Sequence, residues 1–483
     1  MKIKTNLILI TILCLYAIFL AVKVGAYAAG SDSSGYLNAA KLIASGKLHE
    51  KQRFIEGIAE SEISQNAYLP LGFVASSREE IVPTYPLGLP ILIALTSFLV
   101  GFSAAPHVVI CLHSLASLIL IYRLARILNL EKFWSALAAI LLAINPLFFN
   151  YSLQLMSDMP SLFWCGLAVF SSLKSKEKAS WAIVAGASVG MAVMIRPVNI
   201  LIAFPLLIIF GKNWRNLIYC GFGGLPFAAA LLILNRNLYG HFFTTGYGDL
   251  SELFGTQFFL ASIVAYEKYL LLELTPLVVL AIGIFMPSLW RQNPRRSIIL
   301  TAWIAPFFIF YSFYCYTSCC WWYMRFLLPI FPAIILAMVL TLRDIYESFP
   351  KFRRTIIITF LSLTFSWQAS FSAVFPVITN ESSEYFLASN WVKNNLEKDS
   401  ILIAMQTSGA LLQYTEFPII RYDSVTRSEL EKISEVAKKN QRPIYAMLFS
   451  FELDDVMKTK FPGKWEKVKE TKLITTWRRI NEK

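Results

Sequence analysis

Twelve apolar stretches alternate with short polar connections along the first 376 residues: 6–29, 86–103, 106–128, 133–150, 159–173, 180–195, 197–211, 217–235, 270–289, 298–315, 324–342 and 355–376. A helix needs about 20 apolar residues to cross the hydrocarbon core, within a range of roughly 17–25. The pattern therefore predicts a polytopic α-helical membrane protein with 11–12 transmembrane segments. Several stretches are short and require tilting or local thinning of the bilayer. The first follows Lys2 and Lys4 and reads as a retained span, because no small-residue cleavage site comes after it.

Charge sets the orientation. If 86–103 lies at the interface or re-enters, the loops on one side are 1–5, 121–132, 174–179, 212–216, 290–297 and 343–354, which hold 17 Lys+Arg and four acidic residues. The opposite segments up to residue 380, with helix ends included, hold ten Lys+Arg and twelve acidic residues. Positive residues in short loops stay cytoplasmic, so eleven full spans and one partial span are expected. Segments 30–85, 151–158, 196–199, 236–268, 316–323 and 377–483 then share the outer face.

From about Asn380 the pattern changes. Residues 381–483 hold 17 Lys+Arg and 15 acidic residues, and short apolar runs alternate with amphipathic ones. Helices are expected over 384–396 and 428–439, and strands over 400–404, 443–450 and 473–479. This gives two parts: a membrane domain, 1–376, with a first outer loop, 30–85, and a small α/β domain, 377–483, on the outer face. About 100 residues suffice for one modest core.

Composition agrees with this division. The chain is 56% hydrophobic and 16% charged, against about 25% charged in soluble domains; this excludes a disordered chain, a coiled coil and a disulfide scaffold. The net charge of +13 resides in connections between spans, so it marks topology and no nucleic-acid partner. Seven cysteines are too few for a scaffold, and Cys315, Cys319 and Cys320 lack a matching pair for a metal site. No Gly-rich phosphate loop, H-E-x-x-H or G-x-S-x-G sequence is present.

The unusual polar residues lie in the outer segments. Asp32, in Gly30-Ser31-Asp32-Ser33-Ser34-Gly35-Tyr36, follows the first span; it is either a general base or metal ligand facing a cavity, or the N-cap of a helix running through Ala44. Tyr85 stands in Pro83-Thr84-Tyr85-Pro86-Leu87-Gly88-Leu89-Pro90, a proline-rich approach to the membrane. Asp158, in Met156-Ser157-Asp158-Met159-Pro160, caps a helix or helps hold a substrate or cation. Arg196-Pro197 offers a phosphate ligand or a snorkelling anchor. The loop NRNLYGHFFTTGYG (235–248) brings His241 and Tyr247. Trp322 and Arg325, in Trp321-Trp322-Tyr323-Met324-Arg325, suit an interfacial belt or the floor of a sugar site.

Taken in order, GSDSSGYLNAAKLIASG, YPLGLPIL, NPLFFNYSLQLMSDMP, GASVGMAVMIRPVNIL and WWYMRFLLPIFP resemble the GT-C superfamily of integral-membrane glycosyltransferases. The resemblance is especially to the branch around protein O-mannosyltransferases and aminoarabinose transferases, and it covers most of residues 1–376. It implies a polyprenyl-phosphate sugar donor, an acceptor hydroxyl on a protein, lipid or glycan, inversion at the sugar, and a non-cytoplasmic site, expected in the plasma (inner) membrane. Asp32 falls at the family's base and Asp158 at its second acidic position. Arg196 and Arg325 are the candidates for the donor phosphate; Tyr85, His241, Tyr247 and Trp322 are candidates for substrate contact. Ser33-Ser34 replace the second acid of a paired motif, and Thr84-Tyr85 replace an acidic–basic pair, so a divalent metal stays open. The other readings are a transporter or flippase of lipid-linked sugars, and a non-catalytic assembly subunit.

Overall fold

The computed structural model describes residues 2–59, 62–273, 293–374, 381–461 and 463–480. The membrane domain is built from α1 (Lys2–Lys23), α2 (Gly30–Ala44), α3 (Gly88–Val100), α4 (Ala105–Ile127), α5 (Lys132–Ala143), α6 (Pro146–Tyr151), α7 (Asp158–Lys174) and α8 (Trp181–Ile195). There follow α9 (Ala203–Phe210), α10 (Trp214–Tyr239), α11 (Phe259–Glu273), α12 (Pro294–Ser312), α13 (Phe331–Ser348) and α14 (Arg353–Val374). The expected stretch 270–289 lies, beyond Glu273, outside the described residues.

The helices follow the apolar pattern, with breaks where backbone chemistry requires them. Stretch 133–150 divides at Asn145, because Pro146 has no N–H and the Asn145 side chain accepts from Phe148 N at 3.0 Å to start a new helix. Stretch 86–103 forms a helix of 13 residues, which reaches about 20 Å against a hydrocarbon core of about 30 Å. Pro197–Ile202 and Trp321–Ile330 are wound as 3₁₀ turns before α9 and α13. Among the described residues three helical stretches are by themselves long and apolar enough to cross a membrane: Ala105–Ile127, Trp214–Tyr239 and Trp321–Ser348.

Burial separates the middle of the bundle from its rim. Every residue of α13 from Phe331 to Leu342 is buried, so this helix is apolar all round and packed all round. On α10 only Asn216, Gly223 and Leu238 are fully buried; Trp214, Phe222, Leu225 and Ile233 are exposed, as suits a lipid-facing side, whereas Tyr219, Cys220 and Leu234 pack against the bundle. The contact that retains α10 is made by small residues. A Cβ on Gly186 of α8 would fall 1.8 Å from Cys220 O, and one on Gly223 of α10 would fall 1.9 Å from Ile183 O. Two backbones meet face to face there, the arrangement by which helices associate in lipid without a hydrophobic driving force.

The first outer loop forms a three-stranded antiparallel sheet of β1 (Glu50–Lys51), β2 (Phe73–Ala75) and β3 (Glu80–Pro83), in the order β1-β3-β2. The C-terminal unit is a five-stranded sheet, ordered β5-β4-β6-β8-β7, of β4 (Ile401–Ile403), β5 (Ile419–Ile420), β6 (Ile444–Phe449), β7 (Lys464–Glu470) and β8 (Ile474–Ile480). Strand β4 runs parallel to β5 and β6, whereas β8 is antiparallel to β6 and β7. Helices α15 (Glu381–Asn395), α16 (Ser408–Tyr414), α17 (Arg427–Lys439) and α18 (Ser450–Thr459) complete it. Two helices and three strands fall at the expected places; α16, β5, α18 and β7 carry weaker apolar patterns and come in addition. A capping box between Thr426 and Glu429 starts α17.

This unit holds the first outer loop. Asn38 of α2 donates to Gly409 O at 2.9 Å, Arg53 to Thr415 O at 2.7 Å, and Ser64 N to Glu429 Oε1 at 2.7 Å. Ile55, Ile63, Ala67 and Tyr68 of the loop share one apolar core with Ile403, Ile420, Leu430 and Ile433.

The α8–α10 contact is testable. Gly223→Leu is expected to lower the thermal unfolding midpoint in detergent by forcing the helices apart, an overpacking cost of about 1–3 kcal/mol. Gly221→Ala, where an added Cβ meets nothing within 4 Å, is expected to unfold like the wild type. Equal midpoints for both variants would show that α10 is retained by other contacts.

Candidate active site

Asp32 lies in the first turn of α2, which starts at Gly30 without any side-chain cap. Its carboxylate is therefore not spent on capping, and the positive end of the helix still favours its charge. Asp32 Oδ2 receives Arg325 Nη2 at 2.6 Å, with the Asp32 side chain 27% exposed. Burial pushes the Asp32 carboxyl up, but the Arg325 guanidinium beside it and a hydrogen bond from Tyr85 pull it further down, leaving it below the usual carboxylate range. Tyr85 OH also lies 2.6 Å from Ser31 Oγ, and burial, with Asp32 nearby, pushes the phenol well up. The phenol thus stays protonated and acts as a donor.

A second ion pair stands beside the first. Asp158 opens α7 with its side chain fully buried and, like Asp32, makes no cap; the helix starts after Ser157 without a side-chain capping bond. Its Oδ1 instead accepts Arg196 Nη2 at 2.9 Å. Arg196 Nε donates to Ser157 Oγ at 2.9 Å, and Tyr36 OH donates to the same oxygen at 3.0 Å. Arg196 is at the C-cap of α8, where a cation complements the helix end. Its place depends on a close approach: a Cβ on Gly88 would fall 2.5 Å from Ile195 N, so the start of α3 abuts the end of α8 directly.

Both arginines face one ring. The guanidinium carbons of Arg196 and Arg325 are each 5.1 Å from the centre of Phe326, and Arg325 lies 5.8 Å from that of Tyr151. Phe326 in turn stacks on Tyr311, with centroids 5.3 Å apart and planes 9° apart.

The two pairs open onto a cavity of about 530 Å³. Asp32, Tyr85, Arg196, Tyr247 and Arg325 line it together, although they come from five separate parts of the chain. Asp158 stands behind Arg196, outside the lining. Trp322 is also outside; its carbonyl accepts Tyr151 OH at 3.1 Å and its side chain is exposed. His241 is exposed in the turn after α10 and does not line the cavity. About half of the remaining wall is aromatic, formed by Tyr36, Phe254, Phe310, Tyr311, Tyr314, Tyr316, Tyr323 and Phe326, and the rest is small or aliphatic, such as Val198, Leu250 and Leu253. The sequence alone singles out none of Tyr36, Tyr311, Tyr314 and Phe326 for the site. The run YSFYCYTSCCWWY (311–323) was the available signal.

Among the described residues the buried atoms without a hydrogen-bond partner include Arg196 Nη1 and Arg325 Nε. Each guanidinium thus has one carboxylate and a donor to spare, which suits an arriving anion. No three His, Cys, Asp or Glu side chains among the described residues gather as metal ligands, and both carboxylates at the site already hold a guanidinium.

The comparisons with known proteins extend this picture. A family model described as dolichyl-phosphate-mannose-protein mannosyltransferase matches residues 84–235, the run from Thr84 through most of α10. No curated protein matches the chain by sequence. The fold is similar to that of ArnT from Cupriavidus metallidurans bound to undecaprenyl phosphate, with TM-score 0.60 and 11% identity over 98% of each chain. It is also similar to the oligosaccharyltransferase of Archaeoglobus fulgidus with zinc and sulfate, with TM-score 0.55 and 12% identity over 91% of this chain and 67% of that one. The archaeal oligosaccharyltransferase AglB from Archaeoglobus fulgidus, with an inhibitory peptide and a dolichol-phosphate, gives TM-score 0.54 and 13% identity over 91% and 69%. At such identities the likeness is one of fold, and with the family match over residues 84–235 it supports the resemblance to the GT-C superfamily of integral-membrane glycosyltransferases seen in the sequence.

Proposed function

We propose that this protein transfers a sugar from a polyprenyl-phosphate-linked donor to an acceptor hydroxyl, with inversion, in the cavity bounded by Asp32, Arg196 and Arg325 on the non-cytoplasmic face. The observation that carries the reading is the convergence of one ionised carboxylate and two guanidiniums with spare donors on a single aromatic cavity. The bound lipid phosphates of the ArnT and AglB structures support the donor class. The excess of basic residues on the opposite loops supports the face.

The chemistry follows from the charges. The acceptor oxygen attacks the anomeric carbon while Asp32 takes its proton. The bond from that carbon to the phosphate oxygen breaks, and its electron pair leaves with the lipid phosphate. A phosphodiester with one negative charge becomes a phosphomonoester carrying more. The side chains of Arg196 and Arg325, which both line the cavity, are the cations placed to receive that added charge, and a preorganised donor acts most strongly where charge develops. The tyrosine faces offer flat apolar packing for a sugar ring and hydroxyls for its rim.

Three outcomes test this reading. Asp32→Asn in membranes supplied with radiolabelled polyprenyl-phosphate sugars is expected to lose about 10²–10⁴ of the transfer rate with an unchanged unfolding midpoint. Normal transfer by this variant would remove Asp32 from the base role, and lack of transfer by the wild type with any donor would favour a transport or scaffold protein.

The pH profile is a second check. Because the Asp32 carboxyl is held below its usual value, the base form persists from neutral pH down to about pH 5, more than one unit above an ordinary aspartate near 3.9, and kcat/KM should be flat over that span. Arg325→Gln removes the opposing charge and leaves burial, so any residual activity should fall off at higher pH than in the wild type. A wild-type acid limb centred above pH 5 would contradict the assignment.

For stability, Asp158→Ala leaves the Arg196 guanidinium buried and unpaired and should destabilise by about 3–5 kcal/mol, read as a lower thermal midpoint. A midpoint within experimental scatter of wild type would mean that Asp158 does not neutralise Arg196.

A further inference from the structure

Two guanidiniums of like charge share a partly buried site, and something other than their carboxylates must fix where they point. Each carboxylate binds only one terminal nitrogen: Asp158 holds Arg196 Nη2 and Asp32 holds Arg325 Nη2. Ser157 adds a bond to Arg196 Nε, whereas beyond Asp32 Arg325 has only weak contacts, Nη1 to Met156 Sδ at 3.9 Å and the Tyr151 ring at 5.8 Å. A single-point ion pair lets a planar group swing about its contact.

We infer that Phe326 is the positioning residue for both cations: its ring holds Arg196 and Arg325 so that both side chains meet one phosphate in the cavity. Both guanidinium carbons are 5.1 Å from that ring centre, and so within twice that distance of each other. The ring is itself fixed. It is stacked on Tyr311, a residue with little solvent exposure, and packs edge-on with Tyr314 at 5.8 Å. Tyr311 belongs to α12, so a third helix sets the height of the platform. An aromatic face attracts a cation, and the attraction is larger where water is scarce. One face-bearing residue next to two cations therefore does three things together. It offsets part of their mutual repulsion, restricts the planes of both groups, and keeps both guanidinium side chains on the wall of the cavity. An aliphatic side chain fills the same space and supplies none of these.

This inference rests on the phosphate role given to the two arginines, and the test separates the two. Undecaprenyl phosphate in detergent micelles is titrated into full-length wild type, Phe326→Leu and Phe326→Trp, and donor KM, acceptor KM and kcat are measured for each. The expected result is that Phe326→Leu binds the lipid phosphate about tenfold more weakly, raises the donor KM similarly, leaves the acceptor KM unchanged and unfolds at the wild-type temperature. Phe326→Trp, which keeps an aromatic face, is expected to retain most of the binding. Wild-type affinity in Phe326→Leu would overturn the positioning role while leaving the phosphate reading intact, as would equal losses in the Leu and Trp variants. No binding of undecaprenyl phosphate by the wild type would overturn the phosphate reading and this inference with it. Should Phe326→Leu fail to fold, Tyr311→Leu, which removes the stacking partner and not the platform, is expected to show the same change in donor KM in smaller measure; an unchanged donor KM there would count against the inference.

Discussion

The cavity depends on pairing every buried cation with its own anion. Arg196 and Arg325 sit where the surroundings are mostly apolar, and an isolated guanidinium there would cost several kcal/mol. Asp158 and Asp32 remove that cost one to one. The result is a pocket that is electrically balanced at rest and still rich in hydrogen-bond donors. A pocket with the same arginines and no acids would repel its own parts; one with the same acids and no arginines would have no means of holding an anion.

That balance constrains the fold, because its four members come from distant points in the chain. Asp32 is on α2, Asp158 on α7, Arg196 at the end of α8, and Arg325 in the 3₁₀ stretch before α13. Each stands at the end of a helix or in the turn beside one. Helices deliver their ends to a common level, and their middles remain apolar for packing. The densely buried α13 fixes the level of Arg325, and the bare contact at Gly88 fixes that of Arg196. The partial helix α3 serves this purpose better than a full span would, since its start has to reach the end of α8 and its length is otherwise free.

Much of this was legible in the chain. The apolar stretches marked the helices because lipid permits few alternatives, and Pro146, Pro197 and the aromatic run at 321–323 coincide with the interruptions. Asp32, Arg196 and Arg325 stood out because charge beside hydrocarbon is rare. Pairing was not legible: Asp158 and Asp32 had capping as an equally good local use, and only the tertiary structure shows their partners on other helices. The aromatic wall was hidden for a different reason. Tyr36, Tyr311 and Phe326 have the composition of ordinary core or interface residues, and a cavity is a property of what surrounds it. His241 and Trp322 looked distinctive by type, yet the turn after α10 and the exposed flank of the 3₁₀ stretch carry them away from the opening.

The grip of the C-terminal sheet on the first outer loop has a consequence for how the protein is made. Asn38 of α2 is held at Gly409 and Arg53 at Thr415, so the two sides of the clamp lie more than 360 residues apart along the chain. A nascent chain that has threaded its helices up to α14 still lacks the contacts that steady the segment carrying Asp32. The seating of that carboxylate is thereby deferred until residues 409–415 have been made and folded.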